Sequence, residues 1–239
     1  MKFLRKLLLF FFDVLDEFFH QKRIARSIKS NKIKLEYFID VGAFKGKYTD
    51  FILKIEKNCK VIMIEPQEKY YNLLKEKYNN NSNIEIHKIG ISDKITKKNL
   101  RINKHEITST FSSLNNKNRY LNLKAILFQS KLSDMTKNEV SVELFPLSEI
   151  IKEESFKNIS LLKIDTEGHE FEVLYGAQEL LKKVRHILIE FHIDKIYEDY
   201  DSEKIHRFLV ENNFVLIKKF KFPFTTWEDR LYKNSMLEI

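Results

Sequence analysis

The chain has little cysteine, glycine or proline, and it lacks a long uncharged apolar run. Its 239 residues include one cysteine, five glycines and three prolines, with 13% aromatic residues. This composition argues against a disordered or repetitive protein. The lone cysteine, Cys59, excludes an intrachain disulfide and a thiolate metal site, and it favours a reducing, cytoplasmic environment. We expect the Cys59 side chain to fill a small apolar space beside a strand.

The first residues superficially imitate a signal peptide, with basic residues followed by the apolar run from Leu7 to Phe12. Acidic residues soon interrupt this run, which is too short to cross a bilayer, and no small-residue cleavage site follows it. Apolar side chains recur at helical spacing from Leu4 to Phe19, so residues 1–30 are predicted to form an amphipathic helical extension. This helix would pack against the rest of the domain or against a second copy of the chain in a homo-oligomer. Alternatively, residues 1–20 would lie on the inner face of a membrane.

Positive charge exceeds negative charge, and the formal net charge is +8. Such an excess can steer a protein toward nucleic acid, anionic lipid or a phosphorylated substrate. However, the lysines are scattered among glutamates, and the sequence contains no recognisable nucleic-acid-binding module. We therefore expect ordinary solvated surface charge and no nucleic-acid partner.

Apolar runs of strand length alternate with helical segments through most of residues 31–239, which we predict to form one α/β domain. Predicted strands cover residues 35–41, 60–65, 84–91, 159–165, 185–191, 214–222 and 227–232. Predicted helices cover residues 46–53, 67–78, 170–181 and 202–212, the last capped by Asp201 or Ser202. The alternation predicts a mostly parallel, seven-stranded, Rossmann-like sheet with helices on both faces and an antiparallel edge strand. Residues 94–140 interrupt the alternation and are predicted to be a substrate-side insertion.

The carboxyl ends of the predicted strands carry most of the candidate ligand-binding residues. In an open parallel sheet, ligands bind along this edge, near the point at which the strand order reverses. The candidates there are Asp40, Gly42 and Gly46 after the first strand, Glu65 after the second, Ser92 and Asp93 after the third, and Asp165 after the fourth.

The loop after the first strand favours a cationic ligand over a dinucleotide. The segment from Gly42 to Gly46 lacks the glycine pattern of a dinucleotide-binding loop, which disfavours an NAD-dependent oxidoreductase. A carboxylate at Asp40 would repel a pyrophosphate but attract a positively charged ligand such as a sulfonium. Glu65, about 20 residues further on, is in the position of an acid that accepts both hydroxyls of a ribose. The alternative is an ordinary turn followed by a surface acid.

Four segments of the sequence resemble the FkbM-type methyltransferases. They are Phe-Ile-Asp-Val-Gly-Ala-Phe-Lys-Gly at residues 38–46, Ile-Glu-Pro at 64–66, Gly-Ile-Ser-Asp at 90–93 and Leu-Lys-Ile-Asp-Thr-Glu-Gly-His-Glu-Phe-Glu-Val-Leu-Tyr-Gly-Ala at 162–177. They occur in the family's order within about residues 36–222, and the stretch Lys-Ile-Asp-x-Glu-Gly-x-Glu is the most specific of them.

This resemblance implies a class I methyltransferase fold, S-adenosylmethionine as the methyl donor and a hydroxyl group of a glycan or related small molecule as the acceptor. By position, the cofactor-binding residues would be Asp40, Gly42, Ala43 and Gly46 at the methionine end, Glu65 with Pro66 at the ribose, Ser92 and Asp93 at the adenine, and Asp165 at the reacting centre. The product would be S-adenosylhomocysteine.

Methyl transfer to a hydroxyl oxygen needs an aligned acceptor and a group that removes its proton. The candidates for this catalytic role are His192, Asp165, Glu167, Glu190 and His169. We favour His192 because the ordinary pKa of histidine suits proton abstraction near neutrality, and a purely structural role for either histidine is the alternative. Glu167 and Glu170 also fit the first turn of a helix, where acids are stabilised by the helix dipole. A divalent metal held by Asp165, Glu167 and Glu190 would lower the pKa of the hydroxyl, but no metal-specific spacing supports it.

Two interpretations of the remaining polar segments stay open. The hydroxyl groups of the predicted insertion either line an acceptor pocket or belong to a plain polar loop; they are Ser109, Thr110, Ser112 and Ser113. The main alternative to an enzyme is a non-catalytic module that binds a membrane surface or nucleic acid through its basic surface and residues 1–20.

Overall fold

The computed structural model describes residues 20–103, 108–115, 117–118, 136–151, 158–222 and 225–237. Its strands are β1 (Tyr37–Val41), β2 (Lys60–Ile64), β3 (Ile84–His87), β4 (Gly90–Ile91), β5 (Thr96–Asn103), β6 (Thr136–Phe145), β7 (Leu161–Ile164), β8 (His186–His192), β9 (Phe214–Lys221) and β10 (Trp227–Asn234). Its helices are α1 (Gln21–Ser30), α2 (Lys47–Ile55), α3 (Glu68–Lys77), α4 (Leu147–Ile150), α5 (Glu170–Gly176), α6 (Gln178–Leu181) and α7 (Ser202–Glu211). The predicted helix and membrane contact of residues 1–19 lie outside the described residues.

Seven of these strands form the sheet that the alternation predicts. Their order is β3-β2-β1-β7-β8-β10-β9. The first five are parallel to their neighbours, whereas β10 runs antiparallel to both β8 and β9. The antiparallel strand therefore lies one place inside the edge. The sequence order reverses between β1 and β7, and this is where open sheets of this kind bind their ligands.

The central strands are continuous apolar runs because helices cover both faces of the sheet. All seven residues of β8 are buried. Successive side chains alternate between the faces, so Ile39 joins one apolar cluster, whereas Phe38 joins a second cluster with Ile24 and Ile28 of α1. Cys59 is buried in the second cluster as predicted, and burial raises the pKa of its thiol to about 12.

Helix α1 is the described end of the predicted N-terminal extension, and it packs against the sheet. Just before this helix, the buried His20 Nε2 lies 2.6 Å from Asp229 Oδ2 of β10. The ring of His20 also packs edge-on against Trp227, with ring centroids 5.2 Å apart. Within the described residues, we find no helix with the length and apolar character needed to span a membrane.

The prediction of one strand over residues 84–91 is only partly right. β3 ends at His87, and Gly90–Ile91 pairs with β6 in a second sheet of order β4-β6-β5. In that sheet β5 and β6 form a long antiparallel ladder over the small apolar cluster of Leu100, Val142 and Leu144. The described parts of the predicted insertion are therefore mainly a β-ribbon, which is held together by pairing between residues far apart in the sequence.

The four helices predicted within the α/β domain are present, although one of them is divided, and α4 was not predicted. The predicted helix over residues 170–181 is divided into α5 and α6 at Ala177, directly after Gly176, a poor helix former. Helix α7 begins as predicted, and its cap is Asp201 rather than Ser202. The Asp201 Oδ1 atom accepts hydrogen bonds of 3.0 Å from the backbone N–H groups of Glu203 and Lys204.

Candidate active site

The loop after β1 packs directly against the residue that follows β7. Gly42 has a left-handed φ of +81°, and a Cβ atom added to it would lie 1.9 Å from the backbone oxygen of Asp165. The backbone N–H groups of Gly42 and Ala43 both bond Ile64 O at 3.1 Å, and this fixes the loop against the end of β2. The glycine that the sequence pattern singles out is thus required by the close approach of β1 and β7 at the reversal of strand order.

Glu65 follows β2 and is held rigidly beside this loop. Its Oε2 accepts a hydrogen bond of 2.8 Å from the backbone N–H of Phe44, and its Oε1 accepts one of 2.9 Å from that of Gln67. The residue is only 2% exposed, and burial raises the pKa of its carboxyl group to about 7 although both hydrogen bonds lower it. Pro66, next in the chain, is half-buried and leads into α3.

Asp40 and Asp165 share one buried cation that the sequence analysis missed. Lys163 Nζ lies 3.2 Å from Asp40 Oδ1 and 3.3 Å from Asp165 Oδ2, and it donates to Gly42 O at 3.2 Å. Burial lowers the pKa of Lys163, but the charges of Asp165 and Asp40 outweigh burial, and its pKa is raised above the ordinary value. Asp40 also accepts from Thr49 Oγ1 at 3.0 Å, so its charge is compensated inside the protein. The sequence feature that could have revealed this role is the position of Lys163, a charged residue inside an otherwise apolar strand.

Ser92 and Asp93 come directly after β4, a strand of the second sheet, and not after β3 as predicted. Ser92 is buried and donates a hydrogen bond of 3.0 Å to Asp93 Oδ1, whereas Asp93 is exposed. The residue at the carboxyl end of β3 is His87, whose carbonyl accepts from Glu65 N at 3.1 Å. Sequence reasoning did not single out His87, because one continuous strand was expected there.

The turn after β7 is fixed from both sides. Glu167 and Gly168 have left-handed φ values of 52° and 96°. Thr110 Oγ1 donates to the carbonyl of Glu167, and Ser112 Oγ donates to that of Gly168 at 2.7 Å. From inside the protein, Glu170 Oε1 accepts from the backbone N–H of Gly168 at 3.1 Å, and burial raises the pKa of Glu170 to about 7. The hydroxyl groups of Thr110 and Ser112 therefore hold this turn.

Three of the five candidate catalytic side chains come together beyond this turn. One ligand-type atom from each of Glu167, Glu190 and His192 lies within 4.8 Å of the other two. Tyr197 Oη donates a hydrogen bond of 2.6 Å to Glu167 Oε2 and thereby orients that carboxylate. Asp165 lies close enough for its charge to act on both Glu190 and His192, but its contact in the described residues is with Lys163.

Glu190 and His192 lie side by side without forming a salt bridge. Glu190 Oε2 and His192 Nε2 are 3.4 Å apart, an ion-pair distance, but their geometry is not that of a hydrogen bond. Burial, followed by the charge of Asp165, raises the pKa of Glu190 well above its ordinary value, and burial lowers the pKa of His192 to about 4. At neutral pH the contact is therefore not a salt bridge, and His192 is a neutral imidazole.

His169 lies apart from this cluster. It precedes α5, is 3% exposed and contacts Ser92 Oγ at 3.2 Å through Nε2 and Glu172 Oε2 at 3.4 Å through Nδ1. Its ring packs against Phe111 of the insertion, and burial lowers its pKa to about 3. The geometry therefore favours a packing role for His169 between the two sheets.

Comparison with known proteins identifies a family that matches most of the chain. A family model described as the methyltransferase FkbM domain matches residues 40–216. A search of the curated proteins gives no match.

The similar solved structures include methyltransferases of low sequence identity. TrmK of M. capricolum, in complex with S-adenosylhomocysteine, is 10% identical with a TM-score of 0.50, covering 91% of this chain and 68% of that chain. The magnesium protoporphyrin IX methyltransferase of Synechocystis PCC 6803, with bound SAM, is 10% identical with a TM-score of 0.49, covering 90% of this chain and 80% of that chain. A SAM-dependent methyltransferase from Aquifex aeolicus is 16% identical with a TM-score of 0.46, covering 92% and 93% of the two chains. The sheet order and the TrmK likeness confirm the predicted class I methyltransferase fold.

Proposed function

The chain belongs to the FkbM methyltransferase family, and we propose that it transfers a methyl group from S-adenosylmethionine to a hydroxyl group of a sugar or glycan. The observation that carries this proposal is that two groups of polar residues lie along one sheet edge, on opposite sides of the reversal of strand order. Glu65 and the glycine loop lie at the ends of β2 and β1, and the cluster of Glu167, Glu190 and His192 lies at the ends of β7 and β8 on the other side of the strand reversal.

Glu65 and the loop after β1 would hold the cofactor. Both carboxylate oxygens of Glu65 are fixed by backbone N–H groups, and each retains a lone pair that suits a ribose hydroxyl. The loop from Gly42 through Ala43 to Gly46 would take the methionine end, and Pro66 would border the ribose. Ser92 and Asp93, at the end of β4, would border the adenine by the family resemblance.

The charges beside the loop suit a cationic ligand. Two carboxylates, Asp40 and Asp165, share the single ammonium of Lys163, so this group retains net negative charge. When bound, S-adenosylmethionine supplies a methyl group attached to a positively charged sulfur. Asp165, whose side chain is 32% exposed, is the member of the group that can face such a charge, whereas Asp40 acts through Lys163.

The cluster beyond β7 and β8 suits a hydroxylated acceptor. Carboxylate oxygens and a neutral imidazole accept hydrogen bonds from hydroxyl groups, and Tyr197 and Tyr200 supply aromatic surface against His192. In this proposal Glu167, Glu190 and His192 align the acceptor oxygen and draw its proton away as the oxygen attacks the methyl carbon.

An acceptor assay separates a glycan from a nucleic-acid substrate. Purified full-length protein is incubated with S-adenosylmethionine carrying a radiolabelled methyl group, and with either the surface glycans or the total RNA of the source cells. We expect label in the glycan fraction that resists mild alkali, because a methyl ether is stable where a methyl ester is not. Label in RNA, or alkali-labile label, would overturn the proposed acceptor while leaving the methyltransferase assignment intact.

Mass spectrometry of the glycans tests the same proposal in cells. Cells without the gene are expected to lose one methyl substituent from a sugar residue, and the gene should restore it. Identical glycan masses with and without the gene would count against a glycan acceptor.

A further inference from the structure

His192 is a buried base without a hydrogen-bond partner for its ring. It is 4% exposed, and neither Nδ1 nor Nε2 has a hydrogen-bond partner within the described ranges. The Oε2 atom of Glu190, 3.4 Å from Nε2, is also without one. A buried polar atom with no partner destabilises the folded protein, so the adjacent Nε2 of His192 and Oε2 of Glu190 indicate that a further group completes the site.

The surroundings of these atoms are strongly acidic. Glu167 and Glu190 lie in the cluster, and the charges of Asp165, Asp229 and Glu170 also act on Glu190. Lys163, the cation beside them, is already shared between Asp40 and Asp165. Buried carboxylates at this density are stable only when a proton or a cation compensates them. The unused atoms of His192 and Glu190 therefore face a region where positive charge is favoured.

We propose that Glu167, Glu190 and His192 together bind a divalent transition-metal cation. Their ligand atoms lie within 4.8 Å of one another, as expected for atoms that surround one ion. Tyr197 holds Glu167 by a hydrogen bond of 2.6 Å, the kind of outer contact that orients metal-binding carboxylates. An imidazole with two carboxylates suits Mn²⁺, Fe²⁺ or Zn²⁺, whereas Mg²⁺ and Ca²⁺ prefer oxygen ligands alone.

This ligand set differs from the one that the sequence suggested. Asp165 is engaged by Lys163, and His192 replaces it as the third ligand beside Glu167 and Glu190. Three protein ligands leave open coordination positions. Resting on the proposed function, we assign one of them to the acceptor hydroxyl, whose pKa the cation would lower. With Glu167, Glu190 and His192 bound to the cation, the proton of the hydroxyl would pass to water instead of to these three side chains.

Calorimetric titration of the full-length protein with MnCl₂ tests the metal site. We expect one Mn²⁺ per chain, bound more tightly than Mg²⁺, with affinity weakened by about tenfold or more in Glu190→Gln and in His192→Gln. The matched control is His87→Gln. Glu85 and His87 repeat the spacing of Glu190 and His192 at the end of β3, but Glu85 is exposed and the pair is in contact at 2.9 Å. Wild-type Mn²⁺ affinity in both cluster variants, or no Mn²⁺ binding by the wild-type chain, would overturn the inference.

Electron spin-echo spectroscopy of the Mn²⁺ complex gives a second readout that does not depend on stability. A directly bound imidazole nitrogen should couple to the Mn²⁺ spin in the wild-type and His87→Gln proteins, and the coupling should disappear in His192→Gln. A coupling unchanged in His192→Gln would contradict the assignment. Titration of the same samples with S-adenosylhomocysteine separates the two proposals, because a chain that binds the nucleoside but does not bind Mn²⁺ would refute only the metal site.

Discussion

Lys163 is buried between Asp40 and Asp165, and the ends of β1 and β7 depend on its charge. The Lys163→Met variant would leave Asp40, which is 0% exposed, beside a second carboxylate without a cation. Breaking a buried ion pair in this way typically costs about 3–5 kcal/mol of unfolding free energy. Urea unfolding followed by circular dichroism measures the loss.

The control for this prediction is Lys57→Met, which removes an exposed lysine from the turn after α2. We expect that control to change the unfolding free energy by less than about 0.5 kcal/mol. In the double variant Lys163→Met with Asp40→Asn, part of the lost stability should return because one buried charge is gone. A loss below about 1 kcal/mol in Lys163→Met would show that Lys163 does not stabilise this part of the sheet.

The raised pKa of Glu65 predicts pH-dependent cofactor binding. Its pKa is raised from 4.5 to about 7, mainly by burial, so its carboxyl group is protonated below pH 7 in the free protein. Only the carboxylate can accept from both ribose hydroxyls, so the affinity for S-adenosylhomocysteine should rise with pH and level off above about 7. With one proton involved, binding at pH 6 should be about tenfold weaker than at pH 8.

Calorimetry at several pH values measures this dependence, and Glu65→Gln is the control because its side chain does not titrate. The variant should bind weakly with little change between pH 6 and pH 8. The raised pKa of Glu65 also affects the stability of the folded protein, which changes with pH in the opposite direction to the affinity. Between pH 4.5 and about 7 the folded protein keeps a proton that the unfolded chain loses, so the stability contributed by Glu65 falls as the pH rises. An equal pH slope of affinity in Glu65→Gln would assign the effect to another group.

At the scale of single elements, the structure shows which of two residues caps the start of α7, a choice that the sequence left open. Asp201 caps the helix through Oδ1, and the adjacent Ser202 is its first residue. Asp201→Ala should lower the unfolding free energy by about 1 kcal/mol, because two backbone N–H groups lose their acceptor. Ser202→Ala should change it by less than about 0.5 kcal/mol. Equal losses in the two variants by thermal or urea unfolding would contradict the capping geometry.

Local sequence patterns were sufficient for most elements but not for the division of the third strand. The apolar runs of β1, β2, β7 and β8 are readable because both faces of each strand are buried. The strand predicted over residues 84–91 divides because Gly90 and Ile91 pair with residues 144 and 145. A partner more than fifty residues away leaves no trace in the periodicity of a short segment.

The candidate site was predictable in part for the same reason. Glu65 and Gly42 follow strands and stand out by type and position, and the structure brings both to one sheet edge. Lys163 was overlooked because it lies inside an apolar strand, and its role depends on carboxylates from two strands. His169 and His192 look alike in sequence, yet one packs between the sheets and the other joins the acidic cluster.

At the scale of the whole molecule, the order of the strands determines where the chemistry can occur. The reversal between β1 and β7 brings the glycine loop, Glu65 and Asp165 to one edge, and β8 adds the acidic cluster beside them. The second sheet contributes Thr110 and Ser112 through the segment that follows β5, and these side chains fix the turn carrying Glu167. The large sheet therefore provides the candidate site residues, and the segment after β5 of the second sheet holds the turn that carries one of them.

Calorimetric titration of the full-length chain with S-adenosylhomocysteine tests the central claim most directly. We predict one bound nucleoside per chain, with affinity reduced by about tenfold or more in Glu65→Ala, because two charge-assisted hydrogen bonds to the ribose are lost. Glu68→Ala, which removes an exposed acid from the first turn of α3, should bind as tightly as the wild-type protein. No binding by the wild-type chain, or equal binding by Glu65→Ala, would contradict the account.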